Sequence, residues 1–111
     1  MAMNNDPRNA TLKTGAIVKG PGKLLTMDGT TNTLDILDTT QVTVGVSAGD
    51  SSRTAAGALQ TTAGATVSYY PMGGVLMIQS IAGQVYRTGD LVYGTALGLC
   101  TRAAGSEKCI G

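Results

Sequence analysis

The chain contains no histidine, which removes the general base that serine and cysteine nucleophiles normally depend on. Its two cysteines, Cys100 and Cys109, fall short of the four Cys or His ligands of a structural zinc site. Paired acids are the remaining route to hydrolysis, and the candidates are Asp6, Asp28, Asp35, Asp38, Asp50, Asp90 and Glu107. Asp35 and Asp38 are three apart, which on a strand puts them on opposite faces. Asp28, Asp50 and Asp90 each adjoin a glycine, as turn residues do. The D-x-[DN]-x-[DN]-G calcium loop is absent. "GPGK" at Gly20 to Lys23 lacks the spacing of a phosphate loop and reads as a β-turn. The expectation is a protein that is not an enzyme and takes no metal, cofactor or small-molecule substrate.

Contact chemistry is better represented. There is no Phe or Trp, and the only aromatics are four tyrosines. Tyr69, Tyr70, Tyr86 and Tyr93 offer either a stacking platform for bases or sugars or, as the reading preferred here, the large side chains of a core or subunit contact. Met72 and Met77 suit the same adaptable packing. Tyr69, Tyr70, Met72, Tyr86 and Tyr93 are therefore the candidate residues for contact with another subunit or a protein partner. The N-terminal stretch is different in kind. Asn4, Asn5, Asp6, Pro7, Arg8, Asn9, Thr11 and Leu12 read as an extended arm over residues 1–12, preceding a single domain over 13–111. Such an arm can add a strand to the exposed sheet edge of a neighbour through main-chain hydrogen bonds.

The elements that must position these residues follow from period-two alternation and turn signals. Strands are expected in "TLKTGAIVKG", ending at Ile17 and Val18, and in "KLLTM"; "TNTLDILDTTQVTVGVSAG" is expected to give one or two more, Leu34 and Ile36 alternating with Asp35 and Asp38, and Val42, Val44 and Val46 with Thr43 and Gly45. "DSSRTAAGALQTTAG" is expected to be a short helix or a long loop, with Gly57 weakening the helix by about 1 kcal/mol. "ATVSYY" is a strand that Pro71 interrupts, and "VLMIQSI" is the most apolar run and the expected central strand. "QVYR", "LVY", "ALGLCT" and "KCIG" follow, with turns at Thr88 to Asp90, near Gly94 and at Ala104-Gly105. The fold class is mainly β: a small β-barrel or β-tulip-like sandwich with an extended N-terminal arm and at most one short helix. A turn centred on Ala104 and Gly105 would set Cys100 opposite Cys109, making a disulfide conceivable. A two-residue shift would separate them, and free thiols are expected, because nothing points to an oxidising compartment.

Composition sharpens the need for partners. At 111 residues the chain is one domain. Its core must be aliphatic, and Ala, Gly and Thr contribute less burial than Leu or Ile while costing as much backbone entropy. Small domains offset that deficit by disulfides, metals or oligomerisation, and the residue types favour oligomerisation. A formal net charge of +1 with 14% charged residues is thin for a monomer's surface. Scattered Lys and Arg disfavour nucleic acid. No run reaches the 18 or more apolar residues of a membrane span, and "MAMNNDPRNATLKTG" lacks a signal peptide's apolar segment, so synthesis in the cytoplasm of the producing cell is expected.

The succession of a polar arm, "AIVKG", "VTVGVSAG", "GGVLMIQSIAG" and "AGQVYRTGDLVYGTALGLCTRAAGSEKCIG" resembles the small head decoration, or cement, proteins of tailed bacteriophages. The closing elements that carry the likeness are Gly89-Asp90, Val92-Tyr93, Gly98, Leu99 to Thr101 and Ile110-Gly111. The resemblance implies a β-rich domain on the outer surface of the virion capsid, commonly a homotrimer at local threefold positions, which holds neighbouring major capsid protein subunits together. Carbohydrate-binding or adhesive β-modules are the principal alternative. A small enzyme or a nucleic-acid binder is a more remote one.

Overall fold

The computed structural model describes residues 7–38, 41–72, 77–87 and 89–102, and the backbone of 108–109. The protein is mainly β. Strands β1 (Arg8–Thr11), β2 (Leu24–Asp28), β3 (Thr33–Ile36), β4 (Gly45–Ser47) and β5 (Thr66–Pro71) form one antiparallel sheet in the order β1-β5-β4-β2-β3. Strands β6 (Tyr93–Gly94), β7 (Cys100–Thr101) and β8 (Lys108–Cys109) form a second, in the order β7-β6-β8.

The first sheet curls until its two outer strands meet. Leu12, just past β1, bridges Leu34 of β3 in parallel, and the Lys13 N–H donates to the Leu34 carbonyl at 2.8 Å. That single bridge brings the edges together without forming a closed barrel. One face of the curled sheet encloses Leu12, Val18, Leu25, Leu34, Ala65 and Val67. The other carries Leu24, Leu37 and Val46, and Cys100 of the second sheet closes over them, with Ile78 and Val92 alongside. Adjacent strand residues point to opposite faces, so Leu24 and Leu25, both fully buried, tie β2 into both cores. Gly45 allows β4 to lie between β2 and β5, because a Cβ there would stand 2.6 Å from the Tyr69 ring and 2.9 Å from the Tyr70 carbonyl.

Turn chemistry follows the sequence closely. Asp28 accepts from the Thr30 and Thr31 N–H groups at 2.9 and 3.3 Å, shaping the β2–β3 connection. Asp90 accepts from the Arg87 N–H at 2.9 Å, and the Asp90 N–H returns to the Arg87 carbonyl.

Several expected elements differ. Ile17 and Val18 lie outside any strand; Val18 is instead held by Ser51, whose N–H donates to the Val18 carbonyl at 2.9 Å. No helix forms over "DSSRTAAGALQTTAG". Arg53 bridges Leu59 in an antiparallel loop, and Gly57 sits at φ +88°, outside helical space. Pro71 does not interrupt β5 but ends it, opposite Gly45. Within "VLMIQSI", residues 75 and 76 lie outside the described residues, and 77–81 form no strand beyond a Ser80–Cys100 bridge. Met77 is 88% exposed. Apolar content alone misplaced the centre of the sheet, which falls instead on short strands whose small residues let neighbours approach. "QVYR" is not a strand among its described residues, Gly94 lies within β6 rather than in a turn, and "ALGLCT" begins as a 3-10 turn at Ala96–Gly98 before β7. The expected turn at Ala104-Gly105 lies outside the described residues.

Candidate contact surfaces

Of the arm residues, Asn4, Asn5 and Asp6 lie outside the described residues, and Pro7 is exposed. Arg8, Asn9 and Thr11 belong to β1, which pairs with β5 in the register Arg8–Tyr69, Asn9–Ser68, Ala10–Val67 and Thr11–Thr66. Ser68 donates its hydroxyl to Asn9 Oδ1 at 2.6 Å. Leu12 is 1% exposed, and its N–H donates to the Ala65 carbonyl at 2.7 Å. The segment thus adds a strand, as its composition permits, but to the edge of its own sheet. Leu12, the last residue of the expected arm, packs in the core with Val18, Leu25, Leu34, Ala65 and Val67.

The tyrosines divide between two places. Tyr69 and Tyr70 are neighbours on β5; Tyr69 packs against the core containing Val67, while Tyr70 pairs across from Val46. Met72 follows at the strand's end, 36% exposed. Tyr86 directs its hydroxyl inward, 2.6 Å from Ser80 Oγ and 3.3 Å from the Cys100 carbonyl it donates to. Burial, above all, raises its pKa over the ordinary phenol value. Tyr93, on β6, lines an open pocket of about 540 Å³ with Gln84, Asp90, Leu91 and Arg102. Arg102 stands 3.8 Å from Asp90, and its N–H donates to Gln84 Oε1 at 3.1 Å.

Cys100 is buried and carries a free thiol. β7 and β8 flank β6 instead of pairing with each other, Cys100 lying opposite Gly94 and Cys109 opposite Tyr93. Two inter-strand spacings amount to about 9–10 Å, beyond the Cα separation of about 7 Å that a disulfide spans.

The carboxylates serve local structure. Asp50 accepts the Gly20 N–H at 2.6 Å and pairs with Arg53 at 2.6 Å, interactions that lower its pKa, the Gly20 bond most strongly. Asp28 is lowered chiefly by its hydrogen bond with Lys13, 2.8 Å away, and Lys13 is raised in turn. Among the described residues, no three His, Cys, Asp or Glu side chains are grouped to hold a metal, and no helix is long and apolar enough to cross a membrane.

Sequence reasoning missed one surface. Ala16, Ile17, Lys19, Lys23, Asp35, Ile36 and Leu97 line an open groove of about 410 Å³. Leu97 is 73% exposed and adopts φ 62°, ψ 23°, the left-handed region. The only signal available in the sequence was Gly98, which marks a tight turn but not the side chain that turn displays. Comparison with protein-family models, curated proteins and solved structures finds no match to this chain.

Proposed function

We propose that the chain is a structural decoration, or cement, protein of a phage head. In this reading it binds the outer capsid surface, self-associates as a homotrimer and ties neighbouring major capsid protein subunits together, with no catalytic step. The observation that carries it is the apolar surface left uncovered in a small protein. Among the described residues, nine large apolar side chains are exposed, including Met77 at 88%, Leu97 at 73%, and Val42 and Val85 at 64%. Scattered apolar residues are ordinary on a surface, but here they come from a chain whose aliphatic core is small, so covering them by association adds burial where it is most needed. The resemblance of the β-strand and glycine-turn series to decoration proteins supplies the kind of partner. Many modest contacts, repeated around a trimer on a repeating shell, sum through multivalency.

Light scattering of the purified chain over a range of concentrations tests the self-association. A mass of about three chains is the expected result; a monomer at every concentration would remove the preformed trimer. Cosedimentation with heads stripped of their decoration protein tests the binding directly.

A second reading, a glycan-binding module, draws on the Tyr93 pocket, where an aromatic ring, a carboxylate, a guanidinium and an amide converge. Tyrosine fluorescence that changes on adding glycans, and not on adding heads, would favour it.

A further inference from the structure

Leu97 is held where a leucine is costly. Left-handed backbone brings the Cβ of any L-residue too close to its carbonyl, so φ 62° is ordinarily left to glycine, asparagine or aspartate. The surroundings leave the turn little choice. The Gly98 N–H donates to the Leu37 carbonyl at 3.0 Å, and the Thr95 N–H donates to the Leu99 carbonyl at 2.9 Å. Gly98 itself lies so close to β2 that a Cβ on it would stand 2.8 Å from the Leu24 carbonyl oxygen. Yet the Leu97 side chain gains little from the fold, being 73% exposed. The fold thus holds a strained apolar residue without burying it, and strain of this kind clusters at sites that meet a ligand or partner.

The groove beside it says what. Its apolar lining is Ala16, Ile17, Ile36 and Leu97, and two lysines, Lys19 and Lys23, stand on it. Neither lysine forms a salt bridge among the described residues, though Lys19 stands near enough to Asp50 to contribute to lowering its carboxyl pKa. Asp35, the one acid in the lining, turns Oδ1 to the Ile36 N–H at 2.8 Å. That bond also occupies an N–H of the edge strand β3, which disfavours docking by strand addition at this point. What fits is side-chain insertion: an apolar residue seated between Ile17, Ile36 and Leu97, flanked by carboxylates that meet Lys19 and Lys23.

We infer that this groove is the face that meets the shell, and that it receives an acidic surface loop of a capsid subunit bearing an apolar side chain between carboxylates. The inference rests on the decoration reading and adds to it the docking face and the chemistry of the partner.

The test uses the full chain and stripped heads of the phage that encodes it, with cosedimentation as readout. Leu97→Gly removes the apolar contact and the backbone strain together, so it should melt at or above the wild-type temperature while its apparent affinity for heads falls at least tenfold. The double variant Lys19→Gln, Lys23→Gln, which removes the charges without setting an acid beside Asp50, should keep a melting temperature close to wild type and the same solution mass, and lose affinity similarly. Val85→Ser, at an exposed site outside the groove, should bind as wild type. If wild type binds heads and either groove variant binds as well as it does, the inference is overturned and the decoration reading stands. If wild type itself fails to bind, the reading falls and the inference falls with it.

Discussion

At the scale of single residues, polar side chains here act as fasteners of turns and loops. Asp28 ties Lys13 to the Thr30–Thr31 turn, and Asp50 joins the Gly20 turn to Arg53. Both carboxyls are lowered from the ordinary value of 3.8. A carboxyl with a depressed folded-state pKa contributes stability that is present above its unfolded value and is lost as pH falls through the folded one. The melting temperature should therefore decline as pH falls below about 4, and the Asp28→Asn, Asp50→Asn variant should show a shallower decline. An equal decline in wild type and variant would assign the acid sensitivity elsewhere. Lys13 works in the opposite sense: raised from 10.5, its contribution holds below that value and fades as pH climbs past the raised one.

At the scale of elements, β1 decides how the N-terminal stretch is understood. It contributes the four-residue pairing with β5, and Leu12 then reaches β3, so that one short segment holds both edges of the curled sheet. Removing residues 2–7 should leave the melting temperature close to wild type. Removing residues 2–12 should lower it sharply, because it deletes an edge strand and a fully buried leucine. Leu12→Ala alone should cost about 2–5 kcal/mol, the range for emptying a leucine site in a core, read from urea denaturation. Should the longer truncation prove as stable as the shorter, β1 would be dispensable, and the arm would again be free to pair with a neighbour.

At the scale of the whole molecule, stability and association are expected to be one property. Apart from Cys100 of the second sheet, the buried apolar set is aliphatic, comprising Leu12, Val18, Leu24, Leu25, Leu34, Leu37, Val46, Ala65 and Val67 among the described residues. It is split between the two faces of one sheet. If copies cover each other's exposed apolar side chains, the melting temperature should rise with protein concentration, as mass action requires of a folded oligomer that dissociates on unfolding. A melting temperature independent of concentration over two decades would mean that the isolated chain is sufficient.

What was legible in the sequence was the local and periodic part. The β class, the strands at "KLLTM", "TNTLDI" and "ATVSYY", and the Asp-Gly and Gly-Asp turns follow from alternation and from residues whose side chains bond their own backbone. These features depend on neighbours a few positions away. The tertiary structure decided everything that depends on distant approach. It drew "RNAT" onto β5, seated the 96–98 turn on β2 and left Met77 outside. It also placed Cys100 and Cys109 on opposite sides of β6. Which strand an edge accepts, and which side chain a turn leaves in the open, is settled by packing between segments far apart in the chain. No local pattern in "ALGLCT" records that Leu97 would stand beside Ile17 and Ile36, because that neighbourhood exists only once the sheet has curled.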